Sequence, residues 1–174
     1  MHFDKVLIFQ VLGAQQTAMY FVAISIPDRL RSLIKQFEPY LFSKFAKHSA
    51  HAIRRTMSLK LMIMLTSIIP FYVLYVILAP LFFDIFLSQY KDIVHLSVIY
   101  ALTLFAGTII IPESSLHAHA SSKVFYTLSI VYGLIRISFL LIGIYTFGLL
   151  GAIYAATISL LLYLIMYYVT AHNY

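Results

Sequence analysis

The chain of 174 residues is 62% hydrophobic and only 10% charged, with a mean hydropathy of +0.92, whereas a soluble domain carries about 25% charged residues. That balance excludes an ordinary soluble domain and points to an integral membrane protein whose apolar runs cross as helices, because lipid offers no partner to an unpaired amide. The absence of half-polar alternating strands argues against a closed barrel, and the lack of cysteine excludes disulfides and thiolate metal sites.

Taken in chain order, the first apolar run, "FDKVLIFQVL", starts at Val6 and ends at Gly13. It holds about half of the ~20 residues that a span requires, so a truncated helix is expected over 1–13. The start "MHFDKVLIFQ" lacks the basic region and cleavage site of a secretory signal. The chain is therefore expected to begin inside a transmembrane helix, as a fragment or truncated product would. A second helix is expected over 16–37. Its latter part places Leu30, Leu33, Ile34, Phe37 and Leu41 at helical spacing against Arg31, Lys35 and Glu38, so an amphipathic, basic link lying at the interface is expected over 28–58, bent at Pro39. Further spans are expected over 59–83, 93–112, 123–144 and 147–169. Together these form a single all-α polytopic lobe of about six transmembrane helices.

Eight of the twelve basic residues, Arg29, Arg31, Lys35, Lys44, Lys47, Arg54, Arg55 and Lys60, lie between Pro27 and Leu61. Short cytoplasmic loops are enriched in Lys and Arg, so this link is expected in the cytoplasm. Threading outward puts Asp84 to Asp92 outside, the "PESSLHAHASSK" loop inside, the tight "YTFG" connection outside, and the C-terminus inside. The net charge of +6 is thus a topology signal, with attraction to anionic membrane lipids second; it does not indicate nucleic acid.

The order of segments resembles the polysaccharide and O-antigen flippases of the multidrug/oligosaccharidyl-lipid/polysaccharide exporter superfamily. "YTFGLLGAIYAATISLLLYLIMYYV" is similar to their final helix hairpin, with Gly148, Gly151, Ala152, Ala155, Ala156, Thr157 and Ser159 on the matching positions. "FDKVLIFQVLGAQQTAMYFVAISIPDRL" is similar to the pair of helices that opens their second half, matched at Asp4, Gly13, Tyr20 and Ala23. "PYLFSKFAK" resembles a cytoplasmic segment of the family, and "LAPLFFDIFLSQYKD" an external link, which departs from the family's glycine pattern at Ser88, Gln89 and Tyr90. The resemblance implies the C-terminal lobe of a two-lobed transporter. Such a transporter moves a polyprenyl-diphosphate-linked oligosaccharide, the repeat unit of O-antigen, lipopolysaccharide, capsule or exopolysaccharide, across the cytoplasmic (inner) membrane. It also implies a partner: a missing N-terminal lobe or a second membrane subunit. A small-molecule or drug antiporter lobe of the same fold, or a non-transporting scaffold, is the alternative.

Within the fifth span Arg136 lies thirteen residues beyond Lys123, about 20 Å along a helix, and nine before Tyr145. A mid-depth arginine costs about 2.5–3.5 kcal/mol and normally faces protein or a cavity. Ser129, Tyr132 and Gly133 make a small, polar stripe beside it; Ile130, Leu134, Ile137 and Leu141 form the other side. Arg136, with Tyr132, is a candidate contact for a substrate diphosphate, since guanidinium pairs bidentately with phosphate. Its other readings are an internal ion pair with Asp4, which lies nine residues before Gly13 and so at matching depth, or a lipid-facing position. Asp4 and Lys5 are candidates for coupling-ion binding, or for an interface position beside the terminal amine. Gly151, Ala155 and Ser159 form a small-residue face for helix packing, within the lobe or in a dimer.

His48 with His51, and His117 with His119, lack further ligands at useful spacing; Glu113, on a Pro-led loop, is the nearest carboxylate, so they are read as loop or interface histidines and no metal is expected. The fourteen tyrosines and fourteen phenylalanines are read as interfacial belts and lipid contacts. No phosphate loop, nucleophilic triad or paired carboxylate is present, so no enzyme activity and no cofactor are expected.

Overall fold

A computed structural model describes residues 3–47 and 50–173 and is helical nearly throughout, with no strand among them. Helix α1 (Phe3–Lys35) is followed by the short α2 (Glu38–Phe45) and the long α3 (Ala50–Phe86). A 3-10 turn at Ser88–Ile93 leads into α4 (Val94–Tyr100), α5 (Thr103–Ala106) and α6 (Ile110–His119), and α7 (Ser122–Asn173) completes the chain. Four stretches, Asp4–Phe45, Ile53–Phe86, Ser88–His119 and Ser122–Asn173, are long and apolar enough to cross a membrane.

Two of the long helices reverse direction at a glycine. Gly13 has φ +83° and Gly148 φ +60°, backbone positions that side chains other than hydrogen rarely tolerate. A straight helix would hold Asp4 and Tyr20 about 24 Å apart, yet their side chains are hydrogen-bonded, so α1 folds into a hairpin of arms 3–12 and 14–35. Likewise the Tyr132 and Tyr163 rings are 4.0 Å apart across the reversal at Gly148, which pairs arms 122–147 and 149–173. The two arms of α7 touch where Gly143 meets Gly151: a Cβ built on either would run into the backbone of the other. Gly151, Ala155 and Ser159 are all buried within the chain, and Gly151 and Ala155 lie against Gly143 at this close approach.

The stretch Ser88–His119 is the central rod: 67% of its most apolar window is buried, against 11% for that of α3. Around it, Leu12, Leu87, Tyr90, Ile144 and Leu149 join one core cluster, so the reversals at Gly13, Leu87 and Gly148 lie at one end of the molecule. Phe45, Ile53, Leu116, Leu128, Tyr167 and Ala171 join another, placing α2, the α6–α7 junction and the end of α7 at the opposite end. The strongly basic segment sits at this second end.

Three boundaries differ from expectation. Pro39 does not bend a continuous helix; α1 stops at Lys35, and Pro39 occupies the first turn of α2, where its missing N–H would have had no partner in any case. The same logic applies to Pro112, in the first turn of α6: residues 112–119 of the loop expected over 112–123 are helical. The basic link is also mostly helical, since α3 begins at Ala50, nine residues before the expected start.

Glycine substitutions should separate structural from permissive positions. Gly133 has open space where a Cβ would go, so Gly133→Ala should be neutral or raise stability by up to about 1 kcal/mol. Gly151→Ala should lower it by about 1–3 kcal/mol through overpacking. Thermal unfolding of the detergent-solubilised protein is the readout; equal melting temperatures for both variants would contradict the crossing.

Candidate functional site

Both hairpins converge on one carboxylate. Asp4 Oδ2 accepts a hydrogen bond from Tyr20 Oη at 3.2 Å and one from Arg136 Nη2 at 3.0 Å. Tyr20 reaches Asp4 because the chain reverses at Gly13, where Thr17 Oγ1 donates to the Gly13 carbonyl at 2.8 Å and supports the turn. Arg136 reaches it because arm 122–147 lies against the α1 hairpin, with Ile8, Leu140 and Ile144 in one cluster. Tyr20 is fully buried and the Asp4 side chain is 8% exposed, while Arg136 keeps 27% of its side-chain surface. The ion pair is therefore interior on the acid side and half-open on the arginine side.

The second Arg136 nitrogen, Nη1, donates to Tyr132 Oη at 3.1 Å, one helical turn back. The Tyr132 ring packs on Tyr163, whose hydroxyl donates to Tyr167 Oη at 3.0 Å. A polar seam thus runs from Asp4 along arm 122–147 into arm 149–173. The opposite side of the arm, Ile130, Leu134, Ile137 and Leu141, is exposed, which matches the division into a polar and an apolar side. Ser129 is exposed at one end of the stripe.

Lys5 does not join this group; its ammonium lies 4.2 Å over the Phe21 ring, on the other side of the hairpin. The alternative that places Asp4 and Lys5 beside the terminal amine involves Met1, which lies outside the described residues. The pairing of His48 with His51 also lies outside them. His119 is exposed, whereas His117 stacks on Phe125 with ring centroids 4.2 Å apart.

Two further polar groupings were not anticipated. Asp28 Oδ1 accepts from Arg31 Nη2 at 2.8 Å and from the buried Tyr100 at 2.9 Å, repeating the Asp–Arg–Tyr arrangement of Asp4. The local signal was the three-residue spacing of Asp28 and Arg31; Tyr100 gave none. The other brings Glu38, Glu113 and His117 together, with ligand-capable atoms all within 4.8 Å of one another. Glu113 and His117 are one turn apart on α6, but Glu38 comes from α2, which only packing reveals.

The chemistry open to the Asp4–Arg136 group is charge pairing and anion contact; neither requires a cofactor. No family profile, no curated protein and no solved structure matches the chain.

Hydrogen bonds to charged groups contribute about 1.5–3 kcal/mol, so Tyr20→Phe should destabilise the protein by about that amount. Lys5→Ala, which removes only a cation–π contact, should cost about 0.5–1 kcal/mol. Detergent-phase unfolding compares the two; a Tyr20→Phe variant as stable as the parent would remove Tyr20 from the network.

Proposed function

We propose that the chain is a multi-pass protein of the cytoplasmic membrane, six spans forming one lobe of a flippase for polyprenyl-diphosphate-linked oligosaccharides. The observation that carries this reading is Arg136: a guanidinium within an apolar helical arm, backed by Tyr132 and Tyr163, with a quarter of its side chain still open. A cation so placed suits the diphosphate of a lipid-linked sugar, whose tail stays in the bilayer while the headgroup crosses a polar seam. A second lobe, in the same protein or another subunit, would supply the facing wall, and the two would rock about the seam in alternating access. The order of motifs from Asp4 to Ser159 supports the same assignment.

Topology follows from charge. Lys35, Lys44, Lys47, Arg54 and Arg55 gather at the end that carries α2, whereas Lys91 stands near the reversals at the other end. The basic end belongs in the cytoplasm, with the C-terminus.

The neutralisation of Arg136 by Asp4 favours a second reading, a scaffold in which the pair only fixes helix packing. Deletion in the native cell separates them. On the flippase reading surface polysaccharide is lost while its lipid-linked precursor accumulates inside; unchanged polymer sinks that reading, and altered drug tolerance with intact polymer points to a small-molecule exporter.

Because the chain has no cysteine, single cysteines report topology directly. Cysteines at Gln89 and Phe147 should react with an impermeant thiol reagent from outside intact cells, and those at Ser43 and Ser121 only after lysis. Labelling of Ser121→Cys from outside would invert the topology.

A further inference from the structure

The grouping of Glu38, Glu113 and His117 lies at the basic end, away from the Asp4–Arg136 seam. Glu113 and His117 project from the same side of α6, four residues apart, which is the spacing at which two helical side chains can share one ion. Glu38, the first residue of α2, faces them across the contact between α2 and α6, where Glu38, Pro39, Phe42 and His117 line a cavity of about 290 Å³. Glu113 and Glu38 are half-buried and His117 is exposed, with its ring held by stacking on Phe125.

The sharpest observation is an orphan. The Oε2 atom of Glu113 is buried and has no hydrogen-bond partner, a condition that costs about 1–3 kcal/mol for a neutral group and more for a charged one. Among the described residues no ion pair joins Glu113 to a basic side chain. The Glu38 carboxylate and the His117 imidazole, gathered beside that of Glu113, complete a donor set for a divalent metal, which would neutralise both acids and give the Glu113 carboxylate the partner it lacks. Bonds of about 2.0–2.2 Å set tetrahedral donors about 3.3 Å apart. The 4.8 Å limit on the present spacing leaves an adjustment that rotation of the two glutamate side chains toward the His117 ring can make.

We propose that Glu38, Glu113 and His117 bind one divalent transition-metal ion, with water completing a four-coordinate shell, and that the ion fastens α2 to the central rod.

The test uses the tag-free chain, purified in detergent and stripped with chelator, titrated with zinc by calorimetry. One zinc per chain is expected, with a rise in melting temperature in excess metal. Loss of an outer-shell partner alone costs about 10–100-fold in affinity, so Glu113→Gln and His117→Ala should each weaken binding by at least about tenfold, while His119→Ala should leave it unchanged. Cobalt(II) gives a readout on the unaltered chain: intense visible bands of a four-coordinate site, abolished by added zinc, are expected. No stoichiometric zinc, affinity in Glu113→Gln and His117→Ala equal to the parent's, or a cobalt spectrum indistinguishable from the aqueous ion would each overturn the site.

Discussion

One carboxylate oxygen, Asp4 Oδ2, holds together three helical arms, two that are consecutive and one from the far end of the chain. It receives Tyr20 from across the first reversal and Arg136 from the hairpin at the other end of the chain. In apolar surroundings neither charge is tolerable alone: an isolated buried ion costs several kcal/mol, and breaking such a pair from one side costs about 3–5 kcal/mol. The pair therefore constrains geometry more than it adds net stability. It requires the α1 hairpin and arm 122–147 to dock in one register, and the central rod, with Leu96, Tyr100 and their neighbours in the same cluster, is enclosed by that docking. Asp28 acts similarly on a smaller scale, taking Arg31 from its own helix and Tyr100 from the central rod.

The reversals make the pair attainable. Helices are the economical way to satisfy every amide in an apolar chain, and the two tightest reversals, which leave no gap between helical arms, use a conformation open to glycine. Gly13 and Gly148 supply that at the same end of the molecule. Asp4 lies nine residues before Gly13 and Arg136 twelve before Gly148, about two and a half and three and a third turns at 3.6 residues per turn, so they meet at similar depth. The Gly143–Gly151 contact then lets the last two arms lie almost backbone to backbone, which carries Tyr163 onto Tyr132 and extends the seam behind Arg136.

Much of this was legible in residue order. The apolar runs outlined the long helices, Gly13 and the "YTFG" turn marked the reversals, and equal spacing from them made Asp4 a natural partner of Arg136. The polar stripe of Tyr132 and Gly133, set against Ile130 and Leu134, told which side of the arm faces protein. What escaped reading depends on tertiary contact. The proline at 112 looked like a loop signal because nothing local says that it falls in a first turn. Tyr100 joins Asp28, and Tyr75 joins Ser97 at 2.6 Å, through packing between helices whose patterns carry no mark of it. Glu38 meets Glu113 and His117 only because the chain breaks after Lys35 and sends α2 back over α6. The lone histidines of the "LHAHA" run therefore looked like interface residues.

The docking of the hairpins depends on Asp4 and Arg136 being bonded to each other in the folded protein, and exchanging their charges tests this most directly. Arg136→Asp and Asp4→Arg should each lower the melting temperature and the yield of folded protein, because each places like charges together in an apolar interior. The double variant, which restores an opposite-charge pair, should recover most of the loss. Single variants indistinguishable from the parent, or a double variant no better than the worse single, would contradict the pairing and the docking of hairpins built on it.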